Sequence, residues 1–249
     1  MTTPPEHVPE GISAVLPAYN EEAVIATTVR RTHAALTASG VPQFEVLVVD
    51  DGSSDGTRIA AEHAASQLSG VRVVSLPANR GYGAALRAGF GVAREPAIFL
   101  MDSDGQFDPA EIRLLLDRWS DMTVVCGVRA HRSDPLVRRA YNRAFFTIVN
   151  ARLGRTALDI NCGFKLFPRA VTRGLVSGGA LISTELLLRA RDAGCRIIDV
   201  PVSHAPRTTG TATGASPRVV VRAFGELWRL DRRLRHEPLT RPLLDSDSD

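Results

Sequence analysis

The sequence predicts an α/β protein with a mostly parallel central sheet and helices on both faces. Two observations carry this. Four short apolar runs, at residues 12–16, 45–49, 71–76 and 97–101, alternate with Ala-rich, helix-patterned stretches at 21–38, 57–68 and 83–93. Strands separated by helices of that length are βαβ units, whose sheets are parallel and covered on both sides. The second observation is that each apolar run ends in a cluster of polar residues, as the strand ends of an open parallel sheet do when they carry a site.

The elements follow in order. Asn20 and Asp55 stand where N-caps belong, ahead of the first two helices. Val24, Thr28, Arg31 and Ala35 would share one face of the first helix. The second half is less regular: a strand at 123–128, a helix at 135–153, a short strand at 164–167, a helix at 183–193 and a buried strand at 196–202. A Thr/Gly-rich loop covers 208–216 and a last helix 218–235. No Pro/Gly-rich linker divides the chain, so residues 11–236 are expected to form one domain, between a flexible 1–10 and a disordered acidic tail at 237–249.

Composition narrows the classes. The chain has 249 residues, is 44% hydrophobic and has a net charge of +3, enough apolar chain to bury a core and too little charge for disorder. Three cysteines, at 126, 162 and 195, are odd in number and lack C-x-x-C spacing, which fits a reducing compartment. No apolar run approaches the roughly 18 residues of a membrane span, and no secretory leader is visible, so a cytoplasmic protein is expected. Lys165 is the sole lysine, which excludes a Walker-type phosphate loop.

The strand-end clusters carry the chemistry. They are Pro17-Ala18-Tyr19-Asn20-Glu21-Glu22, Asp50-Asp51-Gly52-Ser53-Ser54-Asp55-Gly56-Thr57, Asn79-Arg80-Gly81-Tyr82-Gly83 and Asp102-Ser103-Asp104-Gly105-Gln106. Each taken singly is ordinary turn chemistry. All four at strand ends point to one site. Asp102 and Asp104, two residues apart after a buried strand, would repel each other unless a cation lies between them, and a hard Mg²⁺ or Mn²⁺ that also binds phosphate oxygens fits. Arg80 could meet the same phosphates, and Gly81 lets backbone approach closely.

These motifs resemble family 2 glycosyltransferases of the GT-A fold, a Rossmann-like architecture. Within that family the chain is most similar to the dolichyl/polyprenyl-phosphate mannosyl- and glucosyltransferase branch, on Asn79 to Ala85, Asn161-Cys162-Gly163-Phe164-Lys165, and Val200-Pro201-Val202 followed by Arg207 and Gly210. The resemblance implies a nucleotide-binding half at 11–104 and an acceptor half at 105–236. Pro17, Ala18, Tyr19 and Glu21 would line base and ribose, with Asp50 on the base edge and Asp51 beside it. Asp102 and Asp104 would hold the metal on the donor diphosphate, Asp104 as the more direct ligand, Gln106 would sit by metal and sugar, and Arg207 would close on the diphosphate from a mobile loop. Inversion at the anomeric carbon is implied. The run after Arg207 departs from the branch's R-x-x-G-x-S-K, lacking its serine and lysine.

Glu185 matches the position where hydroxyl-using relatives keep a catalytic carboxylate, but a glutamate in the first turn of a helix is also stabilised by the helix dipole. A phosphate acceptor, ionised near neutral pH, needs no such base.

Charge is unevenly spread. Residues 129–155 hold seven arginines and one acid, a balance of +6; residues 217–237 hold six and three, a balance of +3. An anionic membrane surface would suit them, or they could solvate the outer sides of packed helices. In the lipid-phosphate branch the first stretch lies against the bilayer, so Arg138, Arg139, Arg143 and Lys165 would face membrane and acceptor. Nucleic acid is a poor partner, for want of a stacking platform. The expectation is transfer of a mannose- or glucose-type hexose from a GDP- or UDP-sugar to a polyprenyl phosphate at the cytoplasmic membrane face. The alternatives are the same donor chemistry on a soluble hydroxyl acceptor, or a non-catalytic nucleotide-sugar-binding subunit.

Overall fold

A computed structural model describes residues 8–130, 157–179 and 181–206. The predicted helices at 135–153 and 218–235, the loop at 208–216, and Arg138, Arg139, Arg143 and Arg207 all lie outside the described residues.

The elements run β1 (Gly11–Ala18), α1 (Glu22–Thr37), β2 (Gln43–Asp50), α2 (Thr57–Ser66), β3 (Val71–Ser75), α3 (Tyr82–Val92) and β4 (Ala97–Met101). A 3₁₀ turn at Pro109–Glu111 leads into α4 (Ile112–Leu116), an element absent from the expected order although Asp108, followed by Pro109, caps the start of the turn by accepting from Ala110 N. Then come β5 (Thr123–Arg129), β6 (Phe164–Pro168), α5 (Ile182–Asp192) and β7 (Arg196–Val202). The seven strands are ordered β3-β2-β1-β4-β6-β5-β7. All pairs are parallel except those of β6, which runs antiparallel to both β4 and β5.

Alternate strand residues feed two cores, one per face. Val15, Leu47, Val49, Ile98 and Leu100 pack with α3 and α5, while Ile12, Leu16, Val46, Val48 and Phe99 pack with α1, α2 and α4. The buried stripe of α1 is Ile25, Thr28, Val29, Thr32 and Leu36, turned from the expected face. Arg31, placed on that expected face, is exposed and pairs with Asp108 at 3.0 Å. Desolvation pushes the buried Cys126 thiol up to about 12, so it remains a neutral core residue.

Register sets the site. Ala18 is level with Asp50, so β1 and β2 end together, and β1 lies between β2 and β4, where successive connections leave in opposite directions. Open α/β sheets bind their ligands beyond the strand ends at such a switch point. Pro17 is tolerated in a central strand because the β1–β4 ladder stops at Val15–Leu100; its carbonyl instead accepts the Ser103 hydroxyl at 2.6 Å.

At the opposite end of the sheet, Glu45 is buried and accepts from Ser13 Oγ (2.7 Å), Arg94 N (2.8 Å) and Arg72 Nη2 (2.6 Å). Desolvation works to raise its pKa, but the bonds from Arg72, Ser13 and Arg94 outweigh it and hold the carboxyl below its usual range. A lowered folded-state pKa adds stability above the unfolded value and loses it as pH falls through the folded one. Glu45→Ala should lower unfolding free energy by about 2–3 kcal/mol at pH 7, with a smaller loss below pH 4, in urea titrations.

Candidate active site

The first two strand-end loops are stitched to each other. Asn20, at φ +56°, receives Ser54 N on its Oδ1 at 2.9 Å, while its own N–H donates to Ser53 Oγ at 3.0 Å. Glu21 N donates to Thr57 Oγ1 (2.7 Å), Glu22 N to Asp55 Oδ2 (3.3 Å), and Gly56 N back to Glu22 Oε2 (3.0 Å). Asn20 therefore does not cap α1, as its sequence position suggested, but ties two loops together. Asp55 does serve the start of α2, accepting from Thr57 N at 3.0 Å.

The adjacent carboxylates of β2 part company. Asp50, buried, accepts from Ser53 N at 3.1 Å and shapes its own turn. Asp51, equally buried, reaches across to the third loop, accepting from Arg80 N and Gly81 N at 2.8 Å each. Of the residues expected to line a nucleotide, Tyr19 is exposed and Glu21 half-buried. Pro17 and Ala18 are buried, with their carbonyls taken by Ser103 Oγ and Asp51 N, so they shape the strand end instead of presenting side chains. Arg80 is exposed beside them.

Asp102 is the most constrained group. Its N–H donates to Gly163 O at 2.9 Å, and its carboxylate lies over Gly163 so closely that a Cβ there would fall 2.0 Å from Oδ2. Tyr82 Oη donates to Asp102 Oδ1 at 2.9 Å. Desolvation, then the Asp104 charge, push the Asp102 carboxyl up to about 6, against the Tyr82 bond and the charges of Lys165 and Arg129. Desolvation of its hydroxyl end and the Asp102 charge drive the Tyr82 phenol well above its normal value, so it is a donor. Asp104 Oδ1 accepts from Gln106 N at 3.2 Å.

This carboxylate pair suits a divalent cation. It is electrostatically disfavoured as it stands, and among the described residues no three His, Cys, Asp or Glu side chains form an all-protein metal cage. A hard cation held by one or two carboxylates and completed by phosphate oxygens matches that donor set.

Several expected side chains serve other atoms. Lys165, assigned to the membrane side, is 1% exposed: it lies on β6 between Leu100 and Cys126, and its ammonium donates to the Cys162 carbonyl. It acts as a buried counter-charge to Asp102. Arg129, the one described arginine of the basic segment 129–155, turns inward onto Asp159 at 2.8 and 3.0 Å. Gln106 pairs with the backbone of Ala205, its side-chain Nε2 donating to the Ala205 carbonyl (2.7 Å) while its main-chain carbonyl accepts from Ala205 N (2.8 Å). His204 stacks edge-on against Phe107 beside this pair. Gln106 thus holds the residues just before Arg207.

Glu185 is fully buried. Its carboxylate accepts from Val176 N (3.1 Å), Ser177 N (2.8 Å) and Arg189 Nε (3.0 Å). The geometry gives this carboxylate a structural role, anchoring the 176–177 segment to α5, and does not present it to an acceptor as the expected catalytic base would need to be. The residues that sequence reasoning passed over are Tyr82, Gly163 and Ser103. Tyr82 and Gly163 lay inside motifs already singled out, but nothing local marks which carboxylate they meet.

Two outcomes are expected. Asp102 has a folded-state pKa above that of an unfolded chain, so the metal-free protein loses stability as pH rises from about 4 to about 6. Asp102→Asn should then raise thermal stability at pH 7.5 by on the order of 1 kcal/mol, with little change at pH 4. Glu185→Gln should lose about 1–3 kcal/mol in chemical denaturation, since its amide must face two N–H donors, and should keep turnover per folded molecule within a few-fold.

Comparison with known proteins places this geometry. Two curated relatives are undecaprenyl-phosphate 4-deoxy-4-formamido-L-arabinose transferases. That of Edwardsiella ictaluri is 32% identical over 202 residues, covering 80% of this chain and 61% of the relative. That of Pseudomonas aeruginosa is 32% identical over 212 residues, covering 84% and 62%. The chain thus spans about three fifths of the length of these relatives. Among solved structures, glucosyl-3-phosphoglycerate synthase from Mycobacterium tuberculosis in complex with phosphoglyceric acid superposes with a TM-score of 0.67 at 24% identity, over 88% of this chain and 79% of that one. That likeness is one of fold, the GT-A architecture. Residues 13–175, which carry every strand-end cluster described above, match the sequence pattern of glycosyl transferase family 2, and the chain belongs to that family.

Proposed function

We propose that the chain transfers a mannose- or glucose-type hexose, with inversion, from a UDP- or GDP-sugar to a polyprenyl phosphate. The observation that carries this reading is the Asp102/Asp104 pair at the end of β4, beside the switch point and level with the Asp51-bound Arg80 loop. Tyr19, Glu21 and Asp50 would meet the nucleotide, and Arg80 its phosphates. Asp102 and Asp104 would hold Mg²⁺ or Mn²⁺, which supplies neutralisation of the departing diphosphate when bound. Arg207 would add to that charge.

Two facts support a phosphate acceptor. The curated relatives are named for undecaprenyl phosphate. Glu185, the carboxylate that would have served a hydroxyl acceptor, is committed to backbone N–H groups, and a phosphate monoester arrives already ionised. No described helix is long and apolar enough to cross a membrane. Docking on the cytoplasmic face of an anionic bilayer through Arg138, Arg139 and Arg143 would bring the site to such a lipid.

The test is transfer from UDP- and GDP-hexoses, with Mn²⁺ or Mg²⁺, to a short polyprenyl phosphate in anionic vesicles, with a soluble hydroxyl acceptor in parallel. Label should pass to the lipid with one donor base, and Asp104→Ala should lower turnover on the order of 10²–10³-fold with the fold intact. Transfer only to the soluble acceptor would overturn the lipid assignment, and no transfer at all would overturn the enzymatic one.

A further inference from the structure

Tyr82 touches the site but belongs to none of the roles above. It is the first residue of α3, and its backbone is held from two directions. Asp51 grips the preceding N–H groups of Arg80 and Gly81. On the other side Gly83 lies against the Gly178–Gly179 segment, where a Cβ would come 2.6 Å from the Gly178 carbonyl carbon. The residues just before that segment are tied down in turn: Val176 N and Ser177 N donate to Glu185, and Arg87 donates to the Val176 carbonyl. With its main chain so held, Tyr82 stays 37% exposed yet delivers its hydroxyl to Asp102 Oδ1 at 2.9 Å.

Asp102 is held as firmly. Its N–H is bound by the Gly163 carbonyl, and its carboxylate rests on the Gly163 backbone, with Oδ2, Cγ and Oδ1 all within 2.3 Å of where a Cβ would stand. The carboxylate therefore lies between a backbone floor and a phenol. One oxygen is occupied by the hydroxyl. Oδ2 accepts no hydrogen bond among the described residues.

We propose that Tyr82 is a positioning residue for the cation site: its hydroxyl holds Asp102 in one orientation and engages Oδ1, so that Oδ2 is the oxygen presented to a divalent cation. Groups that orient a ligating carboxylate commonly matter as much to affinity as their 10–100-fold mutational cost indicates. Phenylalanine would keep the ring and lose only the hydroxyl, so the carboxylate could rotate away from the Asp104 charge. This inference rests on the donor-binding reading above.

The test is Mn²⁺ titration in the presence of UDP, and separately of GDP, following free Mn²⁺ by electron paramagnetic resonance, so that no turnover is needed. Tyr82→Phe should weaken Mn²⁺ binding about 10-fold with an unchanged melting temperature. In an Asp102→Asn background the same change should add less than about twofold, because the hydroxyl acts through that carboxylate. Gly163→Ala, which displaces the carboxylate from beneath, should weaken Mn²⁺ binding to a similar degree. Wild-type affinity in Tyr82→Phe or in Gly163→Ala, or an equal loss from Tyr82→Phe with and without Asp102, would overturn the positioning role alone. Absence of Mn²⁺ binding by the wild-type protein with either nucleotide would overturn the donor reading and this inference with it.

Discussion

The structure depends on keeping one half-buried carboxylate charged beside another. Asp102 sits at the end of a fully buried strand, with Asp104 next to it, where low polarisability and like charge both oppose ionisation. Around it the chain places a backbone without a side chain at Gly163, a phenol at Tyr82, and two buried or half-buried cations, Lys165 and Arg129, whose fields oppose the repulsion. None of these removes it. A site left electrostatically unfinished in this way would be completed by a divalent cation, as the proposed function requires.

Rigidity is supplied by the loops. Five polypeptide segments that are far apart in sequence are joined by short hydrogen bonds at the strand ends: 20–22 with 53–57, Asp51 with 80–81, Ser103 with Pro17, and Gln106 with Ala205. Most involve backbone N–H or carbonyl groups, so the site is organised by main chain as much as by side chains. The fold's remote end has a counterpart in the Glu45 cluster, which closes the bottom of the same sheet. A rigid floor of this kind would let exposed Tyr19 and Arg80 meet a ligand, as proposed, without collapse of the strand ends.

Several residues that look functional in the sequence turn out to be architectural, and the reason is common to them. Glu185, Lys165 and Gln106 are polar residues in or near family motifs, and each is consumed by a partner distant in sequence or by a backbone group. For Glu185 and Lys165 burial makes such partnering obligatory, because an unpaired polar group inside the fold costs more than it can return, whereas the half-buried Gln106 is tied by its pairing with the Ala205 backbone. The basic segment teaches the same lesson through Arg129, which counts as surface charge in the sequence and is an inward ion pair in space. A charge balance has no direction.

What the sequence determined by itself was whatever depends on local periodicity and local chemistry. The βαβ alternation, the bounds of β4 and β7, the strand-end clusters and the Asp102/Asp104 pair were all legible, because apolar runs and turn residues act within a few positions of themselves. The tertiary structure alone decided which face of α1 is buried, that β6 runs antiparallel between β4 and β5, that Asn20 ties loops instead of capping a helix, and that Tyr82 reaches Asp102 across twenty residues. Those outcomes are settled by which strand ends become neighbours and which polar atoms must then find partners, and that is a property of the packed sheet, not of any stretch of the chain.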